Sequence, residues 1–342
     1  MFENQTILVT GGTGSFGQAF IQTLVEHSRA KKIIVYSRGE TRQAEMENTA
    51  PFSDNRKRLR YFIGDVRDRE RLSLAVSAGV DVIVHAAALK NIVTAEYNPF
   101  EAIKTNIVGT QNVVDVAIQH KVSKVIALST DKACAPINLY GATKLAADKL
   151  IIAANNYSGR SVNFSVVRYG NVTASNGSVI PLFLKKRQDG PLPITDKRMT
   201  RFCITLQQSA DFVIDCYSRM WGGEIFIPKL PSYKLVDLAR AMAVDGRYEE
   251  VGVRPGEKLH EELISHTELG KVVEYSKQYV ILPNTEFLSW DRETYLSRQD
   301  IEGGNLCPEG FTYNSEINSE FLSVSEIRDM IIRHVPGGEV LQ

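Results

Sequence analysis

The segment TILVTGGTGSFG, residues 6–17, decides the fold of this 342-residue chain. Its apolar run Thr6–Thr10 has the length and composition of a buried strand, and glycines spaced G-x-x-G-x-x-G follow it at the entry to a helix. Such glycines permit a tight turn and let the backbone approach a pyrophosphate, whose charge the helix N-terminus favours. The segment therefore predicts a dinucleotide site, with contacts from Gly11, Thr13, Gly14, Ser15, Phe16 and Gly17.

Short β-branched runs alternate with helical patterns through the first half of the chain. Several runs are apolar at consecutive positions, as in strands that helices cover on both faces. This alternation predicts an α/β fold with a Rossmann-type, doubly wound parallel sheet. The predicted strands are Thr6–Thr10, Lys32–Ser37, Arg60–Ile63, Asp81–His85, Lys124–Leu128 and Phe164–Arg168, and the helices between them include Phe16–Glu26, Pro99–Gln119 and Tyr140–Asn156.

From about Ser175 the alternation gives way to shorter pieces interrupted by glycine and proline, such as Gly190-Pro191 and Pro255-Gly256. We predict a dinucleotide-binding domain over residues 1–174 and a smaller, mainly substrate-binding lobe over residues 175–342. Some later segments are expected to return to the first domain. The predicted helices of the lobe are Gln207–Arg219 and Val236–Ala243.

Bulk properties exclude several classes of partner. Forty basic and forty acidic side chains cancel, so nothing favours nucleic acid or an anionic membrane surface. The four cysteines are scattered, without the spacing of a metal site or a disulfide framework, and no metal is expected. No signal peptide or membrane-spanning run is evident, which predicts a cytoplasmic protein.

The end of the second strand decides which dinucleotide is expected. NAD sites normally place an acidic side chain there, but this chain has Ser37 and Arg38, with Arg42 one turn further on. A hydroxyl and two guanidinium groups suit a 2′-phosphate and favour NADP, although the arginines could simply be exposed at a helix start. The other predicted cofactor contacts are Asp65, Val66, Ala86, Ala87, Ala88, Lys90 and Asn106.

The segment STDKACAPINLYGATK, residues 129–144, carries the predicted chemistry. Tyr140 and Lys144 lie one helical turn apart, so the tyrosine can take a proton from a sugar hydroxyl while a nicotinamide accepts the hydride. Lys144 is expected to lower the pKa of Tyr140 and to hold the cofactor ribose, and Thr130 to hydrogen-bond the reacting oxygen. Asp131 and Lys132 add an acid and a base, which an epimerase does not need and an elimination does.

Taken together, these motifs identify the chain as similar to the extended short-chain dehydrogenase/reductase superfamily. Within it, the chain resembles the inverting UDP-N-acetylglucosamine 4,6-dehydratases, the first enzymes of pseudaminic acid synthesis. One departure is Asn91, where that family commonly has a histidine after the lysine. The motifs that carry the resemblance are TGGTGSFG, YSRGE, FIGDVRD, HAAALK, AEYNP, KTNIVGTQN, ALSTDKA, LYGATK, VRYGNV, LPITDKRMTRF, GGEIFIPK and RPGEKLHE.

The resemblance implies oxidation at carbon 4 of the sugar, loss of water across carbons 5 and 6, return of hydride to carbon 6 and inversion at carbon 5. Lys132 would be the base at carbon 5 and Asp131 the acid for the leaving hydroxyl. Lys132 must then be neutral, so we expect burial and the charge of Lys144 to depress its pKa. The resemblance also implies a homo-oligomer. The predicted substrate contacts are Lys90, Asn171, Thr195, Arg201, Arg254 and Glu257.

Two other functions remain open at this point. A UDP-sugar 4-epimerase would share the fold, the cofactor and the Tyr140–Lys144 pair, but it would release no water. A nonenzymatic NADP-sensing regulator would keep the dinucleotide fold without catalysis, and it would have no chemical reason to keep Asp131, Lys132, Tyr140 and Lys144.

Overall fold

The fold was analysed in a computed structural model, which describes residues 1–159, 161–173, 175, 178–244, 247–268, 272–283, 291–297 and 303–342. Within these ranges the strands are β1 (Thr6–Thr10), β2 (Lys32–Ser37), β3 (Leu59–Ile63), β4 (Val82–His85), β5 (Lys124–Thr130), β6 (Asn163–Tyr169), β7 (Asn171–Val172), β8 (Leu192–Ile194), β9 (Thr200–Ile204), β10 (Ile225–Pro228), β11 (Ser232–Lys234), β12 (Tyr248–Glu250), β13 (Glu262–Ile264), β14 (Val272–Glu274), β15 (Gln278–Ile281), β16 (Asn305–Leu306) and β17 (Tyr313–Asn314).

The helices connect these strands and cover the faces of the sheet. The α-helices are α1 (Ser15–His27), α2 (Glu40–Glu47), α3 (Arg69–Val76), α4 (Ile92–Tyr97), α5 (Pro99–Ile103), α6 (Gly109–Gln119), α7 (Leu139–Tyr157), α8 (Val179–Lys186), α9 (Leu206–Arg219), α10 (Leu235–Met242), α11 (Arg292–Leu296) and α12 (Val324–His334). The segment predicted as one helix over Pro99–Gln119 is interrupted, because a π-helical turn, Lys104–Val108, joins α5 to α6.

The main sheet confirms the predicted doubly wound fold. Its parallel strands run in the order β3-β2-β1-β4-β5-β6-β10, and β15, β14 and β16 extend it beyond β10 in antiparallel pairing. The register pairs Thr10 with both Tyr36 and His85, and Thr130 with Tyr169. The carboxyl ends of these strands therefore meet at one edge, where ligands of open α/β sheets bind.

Segments that follow residue 178 form a second lobe with its own hydrophobic core. Phe183, Met199, Leu238 and Ile327 are fully buried in one cluster built from α8, α10, α12 and the strands near them. β10, β14, β15 and β16 join the main sheet instead. The division into domains at 174 and 175 stays a prediction, and Ala174 itself lies outside the described residues.

None of the described helices combines the length and apolar character that crossing a membrane requires. Across the same described ranges, no three His, Cys, Asp or Glu side chains are grouped as a metal site would require.

Candidate active site

The glycine-rich turn lies directly against the end of the neighbouring strand. Gly11 has a φ of +68°, and a Cβ on it would lie 2.9 Å from the backbone nitrogen of Ala87. A Cβ on Gly17 would lie 2.5 Å from the carbonyl oxygen of Gly11. Larger residues at either position would push the turn away from β4 or from α1. The glycines therefore keep the N-terminus of α1 at the strand edge, open to a ligand.

A buried histidine fixes this turn to β4. Thr10 Oγ1 accepts hydrogen bonds from the backbone N–H groups of Ala86 and Ala87, so its own hydrogen is directed to His85 Nδ1, 2.8 Å away. His85 Nε2 then donates to Thr110 Oγ1 at 3.1 Å. Burial, and after it the charge of Lys144, lowers the pKa of His85 to about 3. A neutral His85 thus connects the glycine-rich turn, β4 and α6.

A cavity of about 800 Å³ opens along the carboxyl edge of the sheet. It brings together all five residues predicted for catalysis and every predicted cofactor contact except Asn106. The predicted residues in its lining are Gly11, Thr13, Gly14, Ser15, Phe16, Gly17, Ser37, Arg38, Arg42, Asp65, Val66, Ala86, Ala87, Ala88, Lys90, Thr130, Asp131, Lys132, Tyr140, Lys144 and Asn171.

Asn106 lies outside the cavity lining and links two segments that form the lining by side-chain hydrogen bonds. Its Nδ2 donates to Leu89 O at 2.9 Å and to Thr143 Oγ1 at 3.0 Å, and its Oδ1 accepts from Leu89 N–H at 2.8 Å. Asn106 therefore ties the loop after β4 to α7, the helix that carries Tyr140. A direct contact of Asn106 with the cofactor stays a prediction.

One end of the cavity has a polar, positively charged wall. Thr13 Oγ1 donates to Ser37 Oγ at 3.1 Å, and Gln43 Nε2 donates to the same oxygen at 3.2 Å, so the Ser37 hydroxyl hydrogen is left to point elsewhere. Arg38 is half exposed and lies 3.9 Å from Asp65. Asp65 is itself bonded to Arg67 at 2.6 Å. Its carboxylate is thus already engaged with guanidinium groups.

The predicted catalytic residues lie together at the end of β5 and the start of α7. Thr130 Oγ1 donates to Asp131 Oδ1 at 2.7 Å, and Lys132 Nζ donates to the same oxygen at 3.1 Å. Asn138 caps α7 by accepting from Gly141 N–H at 2.7 Å, and its Nδ2 donates to Gly256 O at 2.8 Å. The cap therefore also fixes the RPGEKLHE loop of the second lobe to the catalytic helix.

The expected depression of the pKa of Lys132 is wrong for the protein without ligands. Burial acts in the expected direction, but the carboxylates of Asp131 and Glu261 outweigh it and raise the pKa of Lys132 above its ordinary value. Lys132 Nζ lies 3.1 Å from Asp131 Oδ1 and 3.4 Å from Glu261 Oε1. Lys132 is therefore an ammonium group at neutral pH.

Tyr140 and Lys144 also differ from expectation. Burial raises the pKa of Tyr140 to about 12, and the charge that opposes this most strongly is on Lys132, not on Lys144. Lys144 Nζ donates to Leu128 O at 2.7 Å, and burial lowers the pKa of Lys144 although Asp148 opposes the shift. Both side chains are nearly inaccessible to solvent. Tyr140 is thus a protonated phenol before ligands bind.

Only some of the residues predicted to contact the substrate lie in the cavity lining. Asn171 lines the cavity, and its Oδ1 is buried with no hydrogen-bond partner among the described residues. Arg201 lies outside the lining, where it donates to the carbonyl oxygens of Thr200 and Leu259. Thr195, Arg254 and Glu257 also lie outside the lining, and their substrate contacts stay predictions.

Sequence reasoning missed Glu261, which is buried and lies between Lys132 and Arg201. Glu261 is the last residue of the motif RPGEKLHE, in which the sequence predicts only Glu257 as a substrate contact. The sequence signal that could have indicated a buried Glu261 is its position two residues before the apolar pair Leu263–Ile264, because a buried strand is expected there. Other cavity residues that were not predicted include Thr105, Tyr169, Ser175, Ser178 and Leu206.

Comparison with known proteins defines the family. Residues 7–283 match the family described as "Polysaccharide biosynthesis protein". The chain is 50% identical over 341 residues to a UDP-N-acetylglucosamine 4,6-dehydratase (inverting) of Campylobacter jejuni, covering 98% of this chain and 100% of that protein. It is 38% identical over 341 residues to a UDP-glucose 4-epimerase of Rickettsia felis, covering 97% and 96%.

Among solved structures, the X-ray structure of Pen from Bacillus thuringiensis is similar to this chain, with a TM-score of 0.85 and 35% identity over 97% of this chain and 98% of that one. The similarity therefore extends through both the main sheet and the second lobe. This chain belongs to the polysaccharide biosynthesis protein family and, within it, to the group of the inverting UDP-N-acetylglucosamine 4,6-dehydratases.

Proposed function

We propose that this protein is an inverting UDP-N-acetylglucosamine 4,6-dehydratase, which forms UDP-2-acetamido-2,6-dideoxy-β-L-arabino-hex-4-ulose. The observation that carries the proposal is the cluster of Thr130, Asp131, Lys132 and Tyr140 at the edge of a dinucleotide-type cavity. A relative that is half identical over the full length carries this activity in its name. The reaction would be the first step of pseudaminic acid biosynthesis.

The cavity suits a nicotinamide dinucleotide, and we propose NADP. Ser37, Arg38 and Arg42 line the cavity, a hydroxyl and two guanidinium groups suit a 2′-phosphate, and Asp65 is already engaged with Arg67. Buried oxygens of Thr105, Asn171 and Ser178 in the lining have no partner among the described residues, as expected of atoms that bond a ligand. When bound, NADP⁺ supplies a hydride acceptor for carbon 4 and a positive charge near Tyr140.

Oxidation at carbon 4 depends on the position and protonation of Tyr140. Its phenol must first release to solvent the proton that burial holds on it, and the charge of Lys132 and a hydrogen bond with Thr130 both lower its pKa. The phenolate then takes the proton of the carbon-4 hydroxyl. The proposed role of Lys144, whose Nζ donates to Leu128 O, is to bond a ribose hydroxyl as well.

Elimination depends on the pair Asp131 and Lys132. In the free protein the proton is on Lys132, whereas the reaction needs a neutral amine and a protonated carboxyl group. Transfer of one proton from Lys132 Nζ to Asp131 Oδ1, across the observed 3.1 Å hydrogen bond, produces both at once. Lys132 then takes the carbon-5 proton, and Asp131 protonates the departing carbon-6 hydroxyl, which leaves as water.

The nucleotide diphosphate would bind at the far side of the cavity. Asn171 and Ser178, the residue at the N-cap position of α8, lie in the lining, and their buried side-chain oxygens have no hydrogen-bond partner among the described residues. A helix N-terminus favours a phosphate. The proposed further contacts of the UDP moiety are those of Lys90, Thr195, Arg201, Arg254 and Glu257.

We also propose that the protein is a homo-oligomer. Val93, Tyr97 and Phe100 on α4 and α5 are more than half exposed, and both helices pack beside α7. Clustered exposed apolar side chains favour association. A cytoplasmic location remains part of this proposal. Light scattering on the purified protein tests the oligomer, because a monomer at micromolar concentration would contradict it.

Incubation with UDP-N-acetylglucosamine and NADP tests the proposed function. We expect a product lighter by one water, with a 4-keto group and a carbon-6 methyl signal in the proton NMR spectrum. Tyr140→Phe is the matched control and should form neither. An epimeric sugar of unchanged mass would instead identify a UDP-sugar 4-epimerase.

A further inference from the structure

A buried glutamate lies behind the catalytic pair. The Glu261 side chain is 3% exposed, and its Oε1 lies 3.4 Å from Lys132 Nζ and 3.6 Å from Arg201 Nε. Its other oxygen, Oε2, is buried and has no hydrogen-bond partner within the described ranges. With Asp131 on the opposite side of Lys132, negative and positive charges alternate through the four residues.

The backbone of Glu261 is fixed by a distant part of the chain. Its N–H donates to Ser315 Oγ at 2.9 Å, and the N–H of Ser315 donates to Glu261 O at 2.8 Å. The preceding residue, His260, forms a bridge to Thr200, beside Arg201. These contacts fix the backbone from which the Glu261 side chain extends to Lys132 and Arg201.

Glu261 is one of the charged groups that set the protonation of Lys132. Burial acts against the ammonium group, the carboxylates of Asp131 and Glu261 favour it, and Arg201 opposes it. The other titratable groups that interact with Lys132 are Lys90, Tyr140 and Tyr233. Loss of the Glu261 charge would remove an attraction and would also leave the repulsion from Arg201 uncompensated. Both effects favour the neutral amine.

We propose that Glu261 is a positioning residue: its carboxylate holds the Lys132 ammonium group against Asp131 and controls how readily Lys132 releases its proton. The inference rests on the proposed function, in which Lys132 passes that proton to Asp131. In this role Glu261 keeps the proton on Lys132 in the free protein.

Amine acylation tests this role without any substrate, because only the neutral amine reacts. Wild-type protein and three variants are treated with acetic anhydride between pH 7 and pH 9, and labelling of Lys132 is measured by peptide mass spectrometry against exposed lysines of the same digest. Glu261→Gln should label Lys132 about 10-fold faster or more, since one pKa unit is tenfold in neutral amine. Glu261→Asp, which keeps the charge, should stay nearer to wild type. Glu262→Gln, the matched control at the next residue, should equal wild type.

Equal labelling of Lys132 in Glu261→Gln and wild type would overturn the proposal. If Glu261→Gln does not fold, Glu261→Asp decides the matter: the shorter side chain draws the carboxylate away from Lys132 Nζ, so Lys132 should label faster than in wild type, and labelling no faster than in wild type would contradict the inference. A wild-type protein that shows the predicted labelling pattern but does not dehydrate UDP-N-acetylglucosamine would refute the proposed function alone.

Discussion

Protonation of His85 should destabilise the fold in mild acid. The folded protein holds the pKa of His85 at about 3, against 6.5 for an unperturbed histidine. A lowered folded-state pKa means that the unfolded chain binds the extra proton, so the free energy of unfolding decreases as pH falls from 6.5 towards 3. The pKa is low because the ring is buried and both of its nitrogens already form hydrogen bonds with threonine hydroxyls.

The magnitude follows from linkage. At pH 5 the unfolded histidine is almost fully protonated and the folded one is neutral, which costs about 2 kcal/mol relative to pH 7 at 1.36 kcal/mol per pKa unit. A folded pKa of about 4 would give nearly the same loss, because pH 5 lies above either value. The full loss, reached about one pH unit below the folded-state pKa, is about 5 kcal/mol.

Urea unfolding of wild type and His85→Gln at pH 7 and pH 5 isolates this contribution, since the other titrating groups are common to both proteins. The variant loses a hydrogen-bonded ring at pH 7, but it has no group at this position to protonate. The wild type should lose about 2 kcal/mol more than the variant between the two pH values. Equal losses would refute the assignment of His85 as a buried neutral group.

Three substitutions test other parts of the site. Lys132→Ala should slow dehydration about 10²–10⁴-fold in the protein that remains folded, because the carbon-5 base is lost; near-wild-type turnover would eliminate Lys132 from that role. Arg38→Asp should weaken NADP binding, measured by calorimetry, much more than NAD binding, and a wild type that binds NAD more tightly than NADP would contradict the assignment. Asn138→Ala should lower the free energy of unfolding by about 1–2 kcal/mol in urea, because α7 loses its cap and the bond to Gly256; an unchanged midpoint would mean that the cap contributes little.

Local sequence signals predicted the order of the main strands in the first half of the fold and the bounds of some of them. β1 and β2 have the predicted bounds because their buried runs end at glycine or polar turns. β5 continues two residues beyond the predicted Leu128, since Ser129 and Thr130 pair with Arg168 and Tyr169 of β6. Such pairing depends on the neighbouring strand and is not encoded in the segment itself.

The electrostatics of the site were less predictable. The sequence placed Asp131 and Lys132 beside each other, but the pKa of Lys132 is also raised by Glu261, which is distant along the chain. The π-helical turn that presents Asn106 to Leu89 likewise depends on a tertiary contact. Both contacts join residues that are far apart along the chain, so they form only in the folded protein.

Inversion at carbon 5 is the central claim, and the reaction in deuterated water tests it most directly. Proton NMR should show deuterium at carbon 5 and ring couplings of the L-arabino configuration from the earliest time points, with the hydride from carbon 4 retained at carbon 6. An early product of D-xylo configuration that converts slowly or not at all would identify a retaining dehydratase and contradict the claim.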